Sequence, residues 1–264
     1  MTNSPAVRSG SGRRPLAPVR RLATVAGAAL LAGTAIVCAP GAAYSTPGSG
    51  TSVAPPSDFG DCPPLPQGVD PGRWRCEVQT AAPRLTLGRV TVTLAPITMT
   101  HAEGPLADGG KAQVWGGMHA AATSVPGGLT GTAMGDRSPL LGLAIQPEYG
   151  GRSDFYSGQL SLRFRLRGPL VPKSCAVGAD TPVDFRLQRS GPSTWVSQDP
   201  PVIEFSAYDD TFAARGAGRC GPLTALLGRR LGLPATEGNL LSFDASYTFR
   251  TYDRLSQGRP AGRV

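Results

Sequence analysis

The chain has 264 residues, and its 26 Lys and Arg side chains against 18 Asp and Glu give a formal charge of +8. Five of those arginines (Arg8, Arg13, Arg14, Arg20 and Arg21) precede Tyr44 with no acidic residue among them, which leaves 21 basic against 18 acidic side chains beyond, a net of +3. That near-balance, with no basic cluster interleaved with aromatics, excludes a nucleic-acid binder, and 35 Gly and 26 Pro argue against long helices.

The first segment reads as a targeting sequence. A basic stretch leads into the apolar run from Leu22 to Ala39, and Gly41-Ala42-Ala43 supplies the small residues of a cleavage site. The run is close to the ~18–20 residues that span a bilayer, but it is rich in Ala and Gly, so residues 1–43 are expected to be a cleaved signal peptide. Arg20-Arg21 lacks the apolar residues that follow a twin-arginine pair, and Val37 stands where a lipidated Cys38 would need a small residue. General secretion is therefore the expected route, with the mature protein extracellular and without a membrane span. Residues 44–57 form a Ser/Thr/Pro/Gly tract that reads as a flexible linker. Residues 58–255 are the length of a single domain, and 256–264 should fray.

Cys62, Cys76, Cys175 and Cys220 remain after the leader. An even number in an exported chain points to disulfides, with three pairings open in principle. The favoured pairs are Cys62–Cys76, around a Pro/Gly-rich loop, and Cys175–Cys220. A zinc site of four cysteines fails on spacing, because no two lie within a C-x₂₋₄-C motif.

Alternation with period two predicts strands at Val90–Leu94, Leu160–Leu166, Val183–Leu187, Ile203–Ala207 and Leu241–Phe249. Weaker strand signals cover Lys111–Trp115, Leu129–Met134 and Leu140–Gln146. Turns are expected at Gly109-Gly110, Pro126-Gly127-Gly128, Gly150-Gly151, Gly168-Pro169 and Gly191-Pro192. One helix is expected at residues 222–231, with Pro222 at its start, a stripe of Leu223, Leu226, Leu227 and Leu231, and Gly232 as its left-handed stop. The fold class is mainly β: an antiparallel two-sheet β-sandwich, or a barrel-like variant, with that one short helix. An outer-membrane barrel would want aromatic girdles that six Tyr, eight Phe and three Trp do not supply.

Catalytic motifs are sparse. Gly216-Ala217-Gly218-Arg219-Cys220-Gly221 matches G-x-G-x-x-G but lacks a βαβ context, so no nicotinamide or other cofactor is expected. No G-x-S-x-G is present, and Asp209-Asp210 reads as solvent-facing. His101, Glu103 and His119 could assemble a three-ligand metal site with an open position, although their spacing matches no compact zinc motif. Among the aromatics near expected turns (Tyr149, Phe155, Tyr156, Trp195, Tyr208 and Tyr252), Trp195 and Tyr208 are the candidate binding residues.

The opening Cys62-Pro63-Pro64-Leu65-Pro66, with Gly68, Asp70-Pro71 and Trp74-Arg75-Cys76-Glu77, resembles the start of uncharacterised secreted actinobacterial proteins. The resemblance extends to the leader, the linker and a β-rich body, but implies no activity and transfers no functional residue. Export, disulfides and alternating strands favour a non-enzymatic β-sandwich that binds a cell-envelope component or a protein partner. The alternatives are a secreted, metal-dependent hydrolase using His101, Glu103 and His119, and a structural secreted protein.

Overall fold

The computed structural model describes residues 58–257. The expected leader, the linker and residues 258–264 lie outside that range. Fifteen strands follow in chain order. The first eight are β1 (Arg75–Ala81), β2 (Arg84–Leu87), β3 (Val90–Thr93), β4 (Ile97–Pro105), β5 (Lys111–Ala120), β6 (Thr123–Ser124), β7 (Ala144–Asp154) and β8 (Gln159–Arg167). The rest are β9 (Ala176–Val177), β10 (Val183–Arg186), β11 (Gln188–Arg189), β12 (Thr194–Gln198), β13 (Pro201–Asp209), β14 (Ala217–Gly218) and β15 (Leu240–Thr251). They form two antiparallel sheets. The larger runs β11-β13-β15-β1-β4-β5, with β12 on β13 and the β2–β3 hairpin on β15, and the smaller runs β14-β9-β8-β7-β6, with β10 on β8.

A continuous hydrophobic cluster fills the space between the sheets, with Leu85, Leu94, Leu162, Phe164, Leu166, Phe185 and Leu241 fully enclosed. These side chains come from alternating positions, as strands with one face on a core require. The result is the expected sandwich, stapled by Cys62–Cys76 and Cys175–Cys220. Two disulfides fit an oxidising compartment. No helix among the described residues is long and apolar enough to cross a membrane.

The expected helix is present as a 3-10 turn, Gly221–Leu223, continued by α2 (Thr224–Leu231). Gly232 ends it at φ 70° in the left-handed region. Leu227 and Leu231 are buried, whereas Leu226 faces outward. Two shorter helices flank it in sequence: α1 (Ala133–Arg137) and α3 (Tyr252–Gln257), the latter extending into the expected tail.

Four local expectations are corrected. Asp209 does not face solvent: it is buried, and its carboxylate accepts from the Arg186 and Thr211 amides. Leu129–Met134 is not a strand, because Gly127, Gly128 and Gly131 adopt positive φ and coil the chain into turns before α1. Residues 139–141 form a 3-10 turn, so β7 starts only at Ala144. Gly150-Gly151 is not a chain reversal; it lies inside β7, where the register with β8 slips between Tyr149 and Ser153. That irregularity bends the end of β7, and the reversal follows at residues 155–158.

Candidate functional site

β1 is the centre of the larger sheet and is covered on both faces. Cys76, Val78 and Thr80 point one way, and Arg75, Glu77 and Gln79 point the other, into one end of the space between the sheets. Pairing with β4 sets Arg75 opposite Glu103 and Glu77 opposite His101. β5 adds Trp115 opposite His101 and Gln113 opposite Glu103, across a bulge that leaves Gly116 without a partner. Gly116 has to be glycine: a Cβ there would lie 2.3 Å from the Asp61 carbonyl oxygen of the segment crossing the sheet's outer face.

Arg75, Glu77, His101 and Glu103 thus line the floor of a cleft of about 230 Å³. Met99, Phe205, Phe243 and Tyr247 form the rest of the larger sheet's wall, and Phe155, Tyr156, Leu160 and Leu187 form the facing wall. The tip of the β7–β8 hairpin is held by Asp154, whose carboxylate accepts from the Tyr156 amide at 3.0 Å and from the Ser157 hydroxyl at 2.6 Å. These bonds hold the Asp154 carboxyl below its usual range and set Phe155 flat on the His101 ring, with centroids 4.0 Å apart. Gln113 ties tip to floor: its Nε2 donates to Glu103 Oε2 at 3.2 Å, and its Oε1 accepts from the Phe155 amide at 2.9 Å. Behind Phe155, Trp115 stacks on Tyr149 at 3.8 Å.

The floor is electrostatically divided. Arg75 Nε donates to Glu103 Oε1 at 2.9 Å, and Arg75 Nη2 pairs with the same oxygen. Arg75 Nε is also 2.6 Å from Glu77 Oε1, but no N–H is aligned on that oxygen, which has no hydrogen-bond partner. Burial, reinforced by the neighbouring Glu103, pushes Glu77 up to about 8 despite Arg75. Glu103 is also desolvated, yet the Arg75 guanidinium and the Gln113 amide hold it below the usual carboxylate range. Burial brings His101 down to about 4, so the imidazole is neutral. His101 is only 2 % exposed, and neither ring nitrogen has a hydrogen-bond partner. At the cleft's edge Arg189 lies over the Phe205 ring at 3.6 Å.

The structure brings together His101 and Glu103 but places His119 elsewhere. His119 is exposed, and its Nε2 lies 2.6 Å from Asp61 Oδ2. The third member of the cluster is Glu77. Trp195 lies on β12, 51 % exposed, edge-on to Phe249, and Tyr208 alternates with the cleft-facing Phe205 and Ala207. Neither lines the cleft, whereas Phe155 and Tyr156 do. Glu77 and Arg75 escaped sequence reasoning because a strand with charged residues on its inner face does not look like a core strand. The available signal was Arg75-Cys76-Glu77-Val78-Gln79-Thr80, a period-two pattern with its polar set buried. No protein family, no curated protein and no solved structure matches this chain.

Proposed function

We propose that this is an exported, non-enzymatic binding protein whose intersheet cleft holds one ring of a cell-envelope saccharide. The observation that carries the reading is the polar floor of Arg75, Glu77, His101 and Glu103 set within aromatic walls and open to solvent at the sandwich end. Sugars present hydroxyls that pair with such planar donors and acceptors, and C–H faces that pack on aromatic rings such as Tyr156 and Tyr247. A cleft of about 230 Å³ falls below the ~300–1,000 Å³ of drug-sized pockets, so it suits a single ring or chain terminus. The leader and disulfides support export to the compartment where such ligands occur.

The test is co-sedimentation of the purified, oxidised protein with isolated cell-wall material at low and high salt. Salt-resistant retention that falls at least about tenfold in Tyr156→Ala and Arg189→Ala is expected from loss of stacking and hydrogen bonding. Both residues are exposed, so the fold should survive their truncation. Retention equal to wild type in both variants would rule out the cleft as the binding site.

A hydrolase is the second reading, favoured by two cleft carboxyl groups in unlike settings: Glu77 is buried with its Oε1 unpartnered, which raises it, whereas Glu103 is held low by Arg75 and Gln113, the contrast of a general acid and its partner. Donor atoms of the two carboxyl groups lie within 4.8 Å of each other, which leaves no room for the water that inverting glycosidases hold between carboxyl groups about 6.5–9.5 Å apart. The binding reading is therefore preferred. Release of soluble sugar fragments that stops in Glu77→Gln would reverse that preference.

A further inference from the structure

Three donor atoms converge on one point of the cleft floor from adjacent strands. His101 Nε2 lies 3.6 Å from Glu77 Oε2 and 4.0 Å from Glu103 Oε2. Neighbouring ligands on a tetrahedral ion bound at about 2.0–2.2 Å stand about 3.4 Å apart. The three donor atoms all lie within 4.8 Å of one another, so each separation exceeds that spacing by no more than about 1.4 Å. The Oε1 atoms are on the other side, near Arg75, and Gln113 steadies Glu103 Oε2. Outer partners of that kind orient metal-binding carboxylates.

A second observation points the same way. An imidazole 2 % exposed with both nitrogens unpartnered is uncommon, because buried polar atoms are nearly always satisfied. Its Nε2 is aimed at the two carboxyl groups.

We propose that Glu77, His101 and Glu103 form a divalent-cation site of the zinc type, with three protein ligands and a further position open to the cleft. The proposal stands whether or not the cleft takes a saccharide. Three ligands with an open position is the arrangement that lets an ion coordinate an oxygen of a bound molecule.

The experiment is calorimetric titration of chelator-treated, oxidised protein with zinc and, separately, with manganese. Saturation at one zinc ion per chain is expected. Glu77→Gln, His101→Ala and Glu103→Gln should each weaken binding at least about tenfold while near-ultraviolet circular dichroism stays native. His119→Ala should leave it unchanged. Absence of saturable binding of either ion overturns the proposal. So does binding that survives Glu77→Gln and His101→Ala but vanishes in His119→Ala, which would place the ion on the Asp61–His119 surface pair. Cobalt added to the wild-type protein reads the site without any substitution. An intense visible ligand-field band of a four- or five-coordinate ion is expected, and the weak band of a six-coordinate aquo ion would contradict the site.

Discussion

At Glu77 and His101 burial penalises the charged form of each side chain, and the two penalties act on opposite sides of neutrality. His101 titrates near 4 in the folded metal-free protein against 6.5 when unfolded, so its contribution is complete above 6.5 and is lost as pH falls through 4. Glu77 titrates near 8 against 4.5, so its contribution is complete below 4.5 and is lost as pH rises through 8. Glu103, held low by Arg75, adds to the acid-side loss. The groups facing this pair are Arg75, Glu103, Tyr156, Arg189 and Tyr247, and their charges do not change between pH 5 and 9. Urea denaturation of the metal-free protein should therefore show greatest stability between about pH 4.5 and 6.5, with a loss of about 2 kcal/mol on the alkaline side and a smaller one on the acid side. Glu77→Gln should flatten the alkaline arm and leave the acid arm. An alkaline arm equally steep in the variant would contradict the burial argument.

On the scale of elements, the site depends on how β1, β4 and β5 pair and on the hairpin laid across them. Gln113 is the link, since its amide serves both the Glu103 carboxylate and the Phe155 backbone. Gln113→Leu keeps the volume and removes both bonds. The Phe155 amide should then exchange with solvent at least about tenfold faster, from loss of a hydrogen bond worth about 1.5 kcal/mol, with little change at Val78 in β1. Exchange at Phe155 unaltered from wild type would show that the tip is held by stacking alone.

Four strands were legible because their residues follow a simple rule, apolar inward and polar outward. β8, β10, β13 and β15 all obey it, and the helix announced itself through its proline start and glycine stop. β1 and β4 break the rule at the place that matters: Arg75, Glu77, Gln79, His101 and Glu103 point into the molecule. Their burial depends on partners from other elements, Gln113 on β5 and the tip at Phe155 on the opposite sheet, which no local pattern encodes. His101 and Glu103 could be suspected as neighbours two positions apart, but Glu77 joined them only through strand register. Trp195 and Tyr208 were attractive as aromatics near turns, yet strand alternation and an edge position put them outside the cleft.

For the whole molecule, the two disulfides restrain different parts of the architecture. Cys175–Cys220 closes 45 residues and ties the smaller sheet to the segment before α2, whereas Cys62–Cys76 closes 14 and clamps the N-terminal segment onto β1 behind the site. The chain-entropy relation assigns about 4 kcal/mol to the longer loop and about 3 kcal/mol to the shorter. Replacing each pair by alanine and measuring denaturation midpoints should show the larger loss for Cys175–Cys220. The opposite order would mean that clamping the segment behind β1 outweighs loop length.

On the proposed function, ligand meets the protein at the end of the sandwich that holds Arg75, Glu77, His101 and Glu103. The most direct measurement is nuclear magnetic resonance mapping of backbone amide shifts while soluble cell-wall sugar fragments are titrated into the isotopically labelled, oxidised protein. Shifts concentrated in residues 75–79, 99–103, 154–160 and 243–247 are the predicted result. Shifts centred on Trp195 and β12, or none up to millimolar fragment concentrations, would contradict the account.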